Sequence, residues 1–123
     1  MKKSTHLIIF ICLIIAGIVL DLAPIQVPAG VDKVYHFSGF FIITMSAVIT
    51  FYEYFGTKWM NLFFVLALTL GGLFAGLSED AQKFVPIRGC DPMDWLTNIG
   101  GISLACALFF VFNAVNKRRE ENE

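Results

Sequence analysis

The sequence predicts an all-α protein, a four-helix transmembrane bundle with short loops, from three observations. Of its 123 residues, 57% are hydrophobic and 15% charged, and the mean hydropathy is +0.72, which leaves too little polar side chain to coat a water-soluble core of that size. Four apolar runs are each close to the roughly 20 residues that cross about 30 Å of hydrocarbon. The loop prolines Pro24, Pro28 and Pro86 fall between those runs. The length is that of one domain, residues 1–123.

The first run, 7–23, follows Lys2 and Lys3 and ends near Asp21. A short apolar stretch behind two lysines also describes a signal peptide, but LDLAPIQVPAG lacks a small-x-small site directly after it, so an uncleaved helix is expected. The second run, 34–54, is bounded by Tyr35 and Tyr54. Trp59 opens the third, 59–77, and Trp95 stands at the start of the fourth, 94–115, as aromatic side chains do where hydrocarbon meets water. Each run is expected to be helical, because a lone segment in lipid satisfies its own backbone polar groups in no other way. Residues 116–123 form a basic, then acidic, tail.

Four spans place Lys2, Lys3, Lys58, Lys117, Arg118 and Arg119 on one side and Lys33, Lys83 and Arg88 on the other. The basic excess assigns both termini to the cytoplasm and the segment before the fourth span to the outside. A net charge of −1 gives no reason to expect nucleic-acid binding. Cys12 and Cys106 lie inside spans and Cys90 in a loop, with no C-x-x-C and no disulfide framework. No cofactor or metal is expected.

The passage SEDAQKFVPIRGCDPMDWLTN, residues 78–98, interrupts this apolar chain with charge. If the third helix continues past Leu77, then Gly72, Gly76, Glu79 and Lys83 share one stripe, with Gln82 beside Glu79. Gly72-x-x-x-Gly76 is a spacing that lets membrane helices approach closely. Asp94, Asn98, Gly101 and Ala105 form a matching stripe on the fourth helix. Antiparallel packing of the two would bring Glu79 and Gln82 to Asp94 and Asn98, with His36 joining from the second helix on a face continued by Gly39, Ile43 and Ala47. A polar group such as Asn98, a turn inside a span, is expected to face protein rather than lipid. Asp91, before Pro92, also reads as a helix N-cap. Arg88, in the turn VPIRGCD, has a guanidinium suited to a carboxylate or phosphate.

These residues together resemble the VanZ-like family of small bacterial membrane proteins. The resemblance is carried by Asp32, Lys33, His36 and Phe37, then Glu79-x-x-Gln82, Pro86 and Arg88, then Asp91, Asp94, Asn98 and Gly101, across residues 32–101. It departs at Ile87, which separates Pro86 from Arg88. The resemblance implies four membrane helices in a bacterial cytoplasmic membrane and, in the namesake, resistance to the glycopeptide teicoplanin.

The expected function is an outward-facing site that binds or modifies a cell-envelope ligand, lipid-linked or peptidoglycan-related and anionic. His36, Glu79 and Asp94 are the candidate catalytic residues, with His36 or Glu79 moving a proton. Gln82, Arg88, Asp91 and Asn98 are the candidate ligand-binding residues, with Arg88 holding the anion. The alternative is a non-catalytic scaffold in which the same cluster locks helices together. A Cys90 transferase with His36 as base, a metal site from His36, Glu79, Asp91 and Asp94, and a transporter rank lower.

Overall fold

The computed structural model describes residues 2–122. They form four helices, α1 (Lys3–Leu22), α2 (Ala29–Phe55), α3 (Met60–Gln82) and α4 (Pro92–Asn122), with one 3₁₀ turn at Thr57–Trp59 between α2 and α3. There is no strand among the described residues. Each helix is long and apolar enough to cross a membrane, by length and composition.

The helices outrun the apolar segments that announced them. α2 starts just after Pro28, which brings Asp32 and Lys33 onto its first turns, and α3 runs to Gln82. Hydropathy stops where the chain turns polar, whereas a helix stops only where its backbone hydrogen bonding is interrupted. The tail is helical to Asn122 for the same reason. Asp91 caps α4 by accepting the Met93 N–H at 2.9 Å, and Pro92 takes the first helical position. α2 ends at Gly56, whose φ of 69° suits glycine. Ile87 has φ 73°, an uncommon conformation for a β-branched residue, in the turn before Arg88.

α2 and α4 form a central parallel pair; α1 flanks α2 and α3 flanks α4. The closest approach of that pair is at Gly101, where an added Cβ would collide with the Phe37 carbonyl oxygen and lie 3.0 Å from the Phe41 nitrogen. The Gly72–Gly76 stripe is used differently from a close helix crossing. The Trp95 indole lies against Gly76 and donates its N–H to the Gly72 carbonyl at 3.0 Å, so a large ring occupies the space that Gly76 leaves. The buried face of α2 is His36, Phe40, Thr44 and Val48. Gly39 and Ile43 instead border a cleft against α1, because α2 has helices on two sides and the expected face was drawn for one.

Candidate functional site

One end of the bundle gathers the start of α2, the end of α3 and the start of α4. His36 of α2 there faces Glu79 of α3 and Asp94 of α4. Asp32 and His36 are four residues apart and share a face of α2. α3 contributes Glu79 and Gln82, one turn apart, and α4 contributes Asp94 and Asn98, also one turn apart. His36, Glu79, Gln82, Asp94 and Asn98 are all buried, Asn98 completely.

His36 is the centre of the arrangement. Its Nδ1 lies 3.7 Å from Glu79 Oε1, while its Nε2 lies 3.7 Å from Asp32 Oδ1 and 3.8 Å from Asp94 Oδ2. These are close electrostatic contacts beyond hydrogen-bond length. His36 Nε2, both Glu79 oxygens, Gln82 Nε2 and both polar atoms of Asn98 have no hydrogen-bond partner among the described residues. A buried polar group in that condition costs about 1 to 3 kcal/mol. Chemically, an imidazole between carboxylates can take up or pass on a proton, and the surrounding amides can donate to or accept from a bound polar group.

The remaining charges form the rim. Lys33 donates to Asp91 Oδ2 at 2.7 Å and to Asp94 Oδ1 at 3.0 Å, tying α2 to the N-terminus of α4. The Lys33 hydrogen bond, followed by the Met93 N–H, holds the Asp91 carboxyl below its ordinary range. Lys83 points away and pairs with Asp80 at 2.6 Å, which raises its own proton affinity.

Arg88 makes its contacts to α1 and α2. Its Nη1 donates to the Leu20 carbonyl at 2.8 Å and the Ala23 carbonyl at 3.4 Å, and its Nη2 approaches Asp32 Oδ1 at 3.7 Å. The carbonyls at the end of α1, each of which also accepts a backbone N–H, lie at the negative end of the helix dipole and attract a guanidinium, and Arg88 holds α1 to the site. Asp21 of α1 adds a second tie by accepting from the Ser78 hydroxyl. Asp91 likewise serves as cap and ion-pair partner, half exposed at the rim.

An apolar cleft of about 260 Å³ between α1 and α2 ends at this cluster. Leu13, Gly17, Gly39 and Ile43 line its length, and Asp21 and His36 stand at its polar end. Its floor at Gly39 is open: a Cβ there would meet nothing within 4 Å.

Of the residues that the sequence groups, His36 lies 3.7 Å from Glu79 and 3.8 Å from Asp94, and Gln82 and Asn98 are buried one turn further along α3 and α4. Sequence reasoning passed over Asp32 and Lys33 as site residues. The four-residue spacing of Asp32 and His36 was the available signal, hidden because the apolar run was taken to start at residue 34. The α1 cleft had no signal, since nothing in an all-apolar helix tells which face meets a neighbour.

No family model matches the chain. No solved structure matches it. The chain is 38% identical over 121 residues to Uncharacterized protein C11E3.10 of Schizosaccharomyces pombe, a match that covers 97% of this chain and 69% of the relative. These findings correct two expectations. The resemblance to the bacterial VanZ-like family is not upheld by a family match, and a fungal relative points elsewhere. Placement in a bacterial cytoplasmic membrane falls with it, as do teicoplanin and antibiotic resistance. Polar residues at one-turn intervals follow from helical pitch wherever helix ends share a polar face, so that spacing alone does not mark a family.

Proposed function

The chain belongs to the family of the fission-yeast protein C11E3.10, and we propose that it is a membrane-spanning protein that binds an amphiphilic, lipid-linked ligand at the polar end of its bundle. The apolar chain of that ligand lies in the cleft between α1 and α2, and its head group meets His36, Glu79 and Asn98. The observation that carries this reading is that His36, whose buried Nε2 lacks a partner among the described residues, lines the polar end of an apolar cleft. The four long apolar helices support the membrane setting. At 260 Å³ the cleft is smaller than the roughly 300–1,000 Å³ of pockets that enclose a whole ligand, which suits one acyl segment with the rest of the molecule in the bilayer.

The head group must satisfy what the pocket offers. With Arg88 engaged at α1, the buried oxygens of Glu79 and Asn98 call for hydrogen-bond donors. His36, facing Glu79 with Nδ1, presents its unpartnered Nε2 to whatever occupies the pocket.

Photocrosslinking tests this directly. A phospholipid with a diazirine in its acyl chain, incorporated with the protein into nanodiscs, is expected to label α1 and α2 around Leu13 and Ile43 above other lipid-exposed positions such as Leu62, Val65 and Leu73. Gly39→Leu, which fills the cleft, should abolish the excess. Labelling spread evenly over all exposed apolar residues, unchanged by Gly39→Leu, would refute it.

A further inference from the structure

We propose that the same cluster holds a divalent first-row transition-metal ion, ligated by Asp32, His36 and Asp94. One ligand atom from each of the three lies within 4.8 Å of the others. His36 Nε2 faces both carboxylates at 3.7 and 3.8 Å. A cation about 2.1 Å from His36 Nε2 and from either carboxylate oxygen would subtend roughly 125° across those two separations, and closure by a few tenths of an ångström brings each to a tetrahedral angle. Such a movement is within the reach of side-chain rotation at the first turns of α2 and α4.

Three independent features favour a cation over a proximity of acidic groups. The imidazole is almost wholly buried, and its Nε2, aimed between the two carboxylates, has no hydrogen-bond partner among the described residues. On the opposite side, Nδ1 faces the Glu79 carboxylate. A carboxylate on the far nitrogen fixes the tautomer and strengthens a metal-ligating histidine, and this arrangement presents Nε2 as the free lone pair. Charge points the same way. Asp32, Glu79, Asp91 and Asp94 bring four carboxyl groups together beside two cationic side chains, Lys33 and Arg88, so acidic groups outnumber basic ones where the ion would sit. Lys33 occupies Asp94 Oδ1 and leaves Oδ2 toward His36.

One nitrogen and two carboxylate oxygens suit manganese or zinc better than thiol-seeking copper(I). The remaining coordination positions face the pocket. A bound ion would thus let an anionic head group, such as a phosphate, serve as the polar end of the amphiphile. Only that last step rests on the proposed ligand; metal binding stands without it.

The test uses Mn2+ alone, with the full chain purified in detergent, free of a histidine tag and stripped with chelator. One equivalent is expected to bind at micromolar concentrations, and pulsed EPR should show 14N coupling from one coordinated imidazole. The chain has two histidines, which makes the assignment decisive. His6→Gln should keep the coupling and His36→Gln should lose it. Glu79→Gln should weaken binding about 10- to 100-fold. Should His36→Gln fail to fold, coupling retained in His6→Gln assigns the nitrogen by itself. Absence of stoichiometric Mn2+ on the folded wild type, or coupling that disappears in His6→Gln, would overturn the metal site while leaving the crosslinking test of the amphiphile untouched.

Discussion

The two ends of this bundle solve the same packing problem with opposite chemistry. At the end where α2 turns into α3, Val48, Met60 and Phe109 are buried together, with Met45, Ile49, Phe51, Phe63 and Phe64 packed against them. Phe51 stacks between Phe55 and Phe63 with ring centroids 4.7 and 4.6 Å apart, and Tyr52 meets Phe109 edge-on. At the other end the same helices bring together His36, Glu79, Gln82, Asp94 and Asn98, with buried atoms that find no partner among the described residues. An end built for cohesion satisfies its side chains internally. The polar end does not, and that difference argues that its groups serve something other than the fold.

Mutations can break or sharpen the contrast. The largest effect is expected at Gly101, which joins the two ends by letting α4 touch the α2 backbone. Gly101→Ala should cost about 3 kcal/mol or more, because the atom it strikes is backbone and only separation of the helices relieves the clash. Thermal unfolding in detergent measures this, and both ends should loosen together. Phe109→Ala comes next, at about 3 kcal/mol of lost packing. Its signature is selectivity: lipid crosslinking in the α1–α2 cleft should survive below the lowered melting temperature.

Arg88→Met should cost less, about 2 kcal/mol for the charge-assisted bonds to α1. Its main result should appear in the cleft, where release of α1 reduces crosslinking more than the stability loss alone accounts for. Smallest is the rim pair of Lys33 and Asp91. The Asp91 carboxyl is held below its ordinary value of 3.8, so the pair contributes stability above that pH and loses it as acid carries the pH down through the folded value. Asp91→Ser keeps a capping oxygen but cannot titrate. Its melting temperature should therefore fall less than that of wild type between about pH 5 and pH 2.

The helices were legible from sequence because long apolar runs without internal proline or clustered charge read as helices. Their ends were less so: α2 begins five residues before the apolar run at 34, and α3 continues to Gln82, since charged residues at a helix terminus lower hydropathy without disturbing backbone hydrogen bonds. One-turn spacing exposed the Glu79–Gln82 and Asp94–Asn98 faces, which depends only on helical pitch. Which helices touch does not depend on pitch. The α2–α4 contact at Gly101, the Trp95 ring over Gly76 and the capture of Arg88 by α1 are all properties of neighbours, and no spacing within one helix reports them. The family resemblance went wrong in a related way, by reading a one-turn polar pattern as ancestry.

Asn98 gives the most direct test of the central claim, that the polar cluster exists to bind rather than to hold helices together. Its side chain is fully buried with neither polar atom partnered among the described residues, so Asn98→Leu should leave the melting temperature unchanged or raise it while cleft crosslinking by the diazirine lipid falls away. A melting temperature that drops as far as that of Phe109→Ala, with crosslinking intact in the molecules that remain folded, would contradict the account and make the cluster a structural lock.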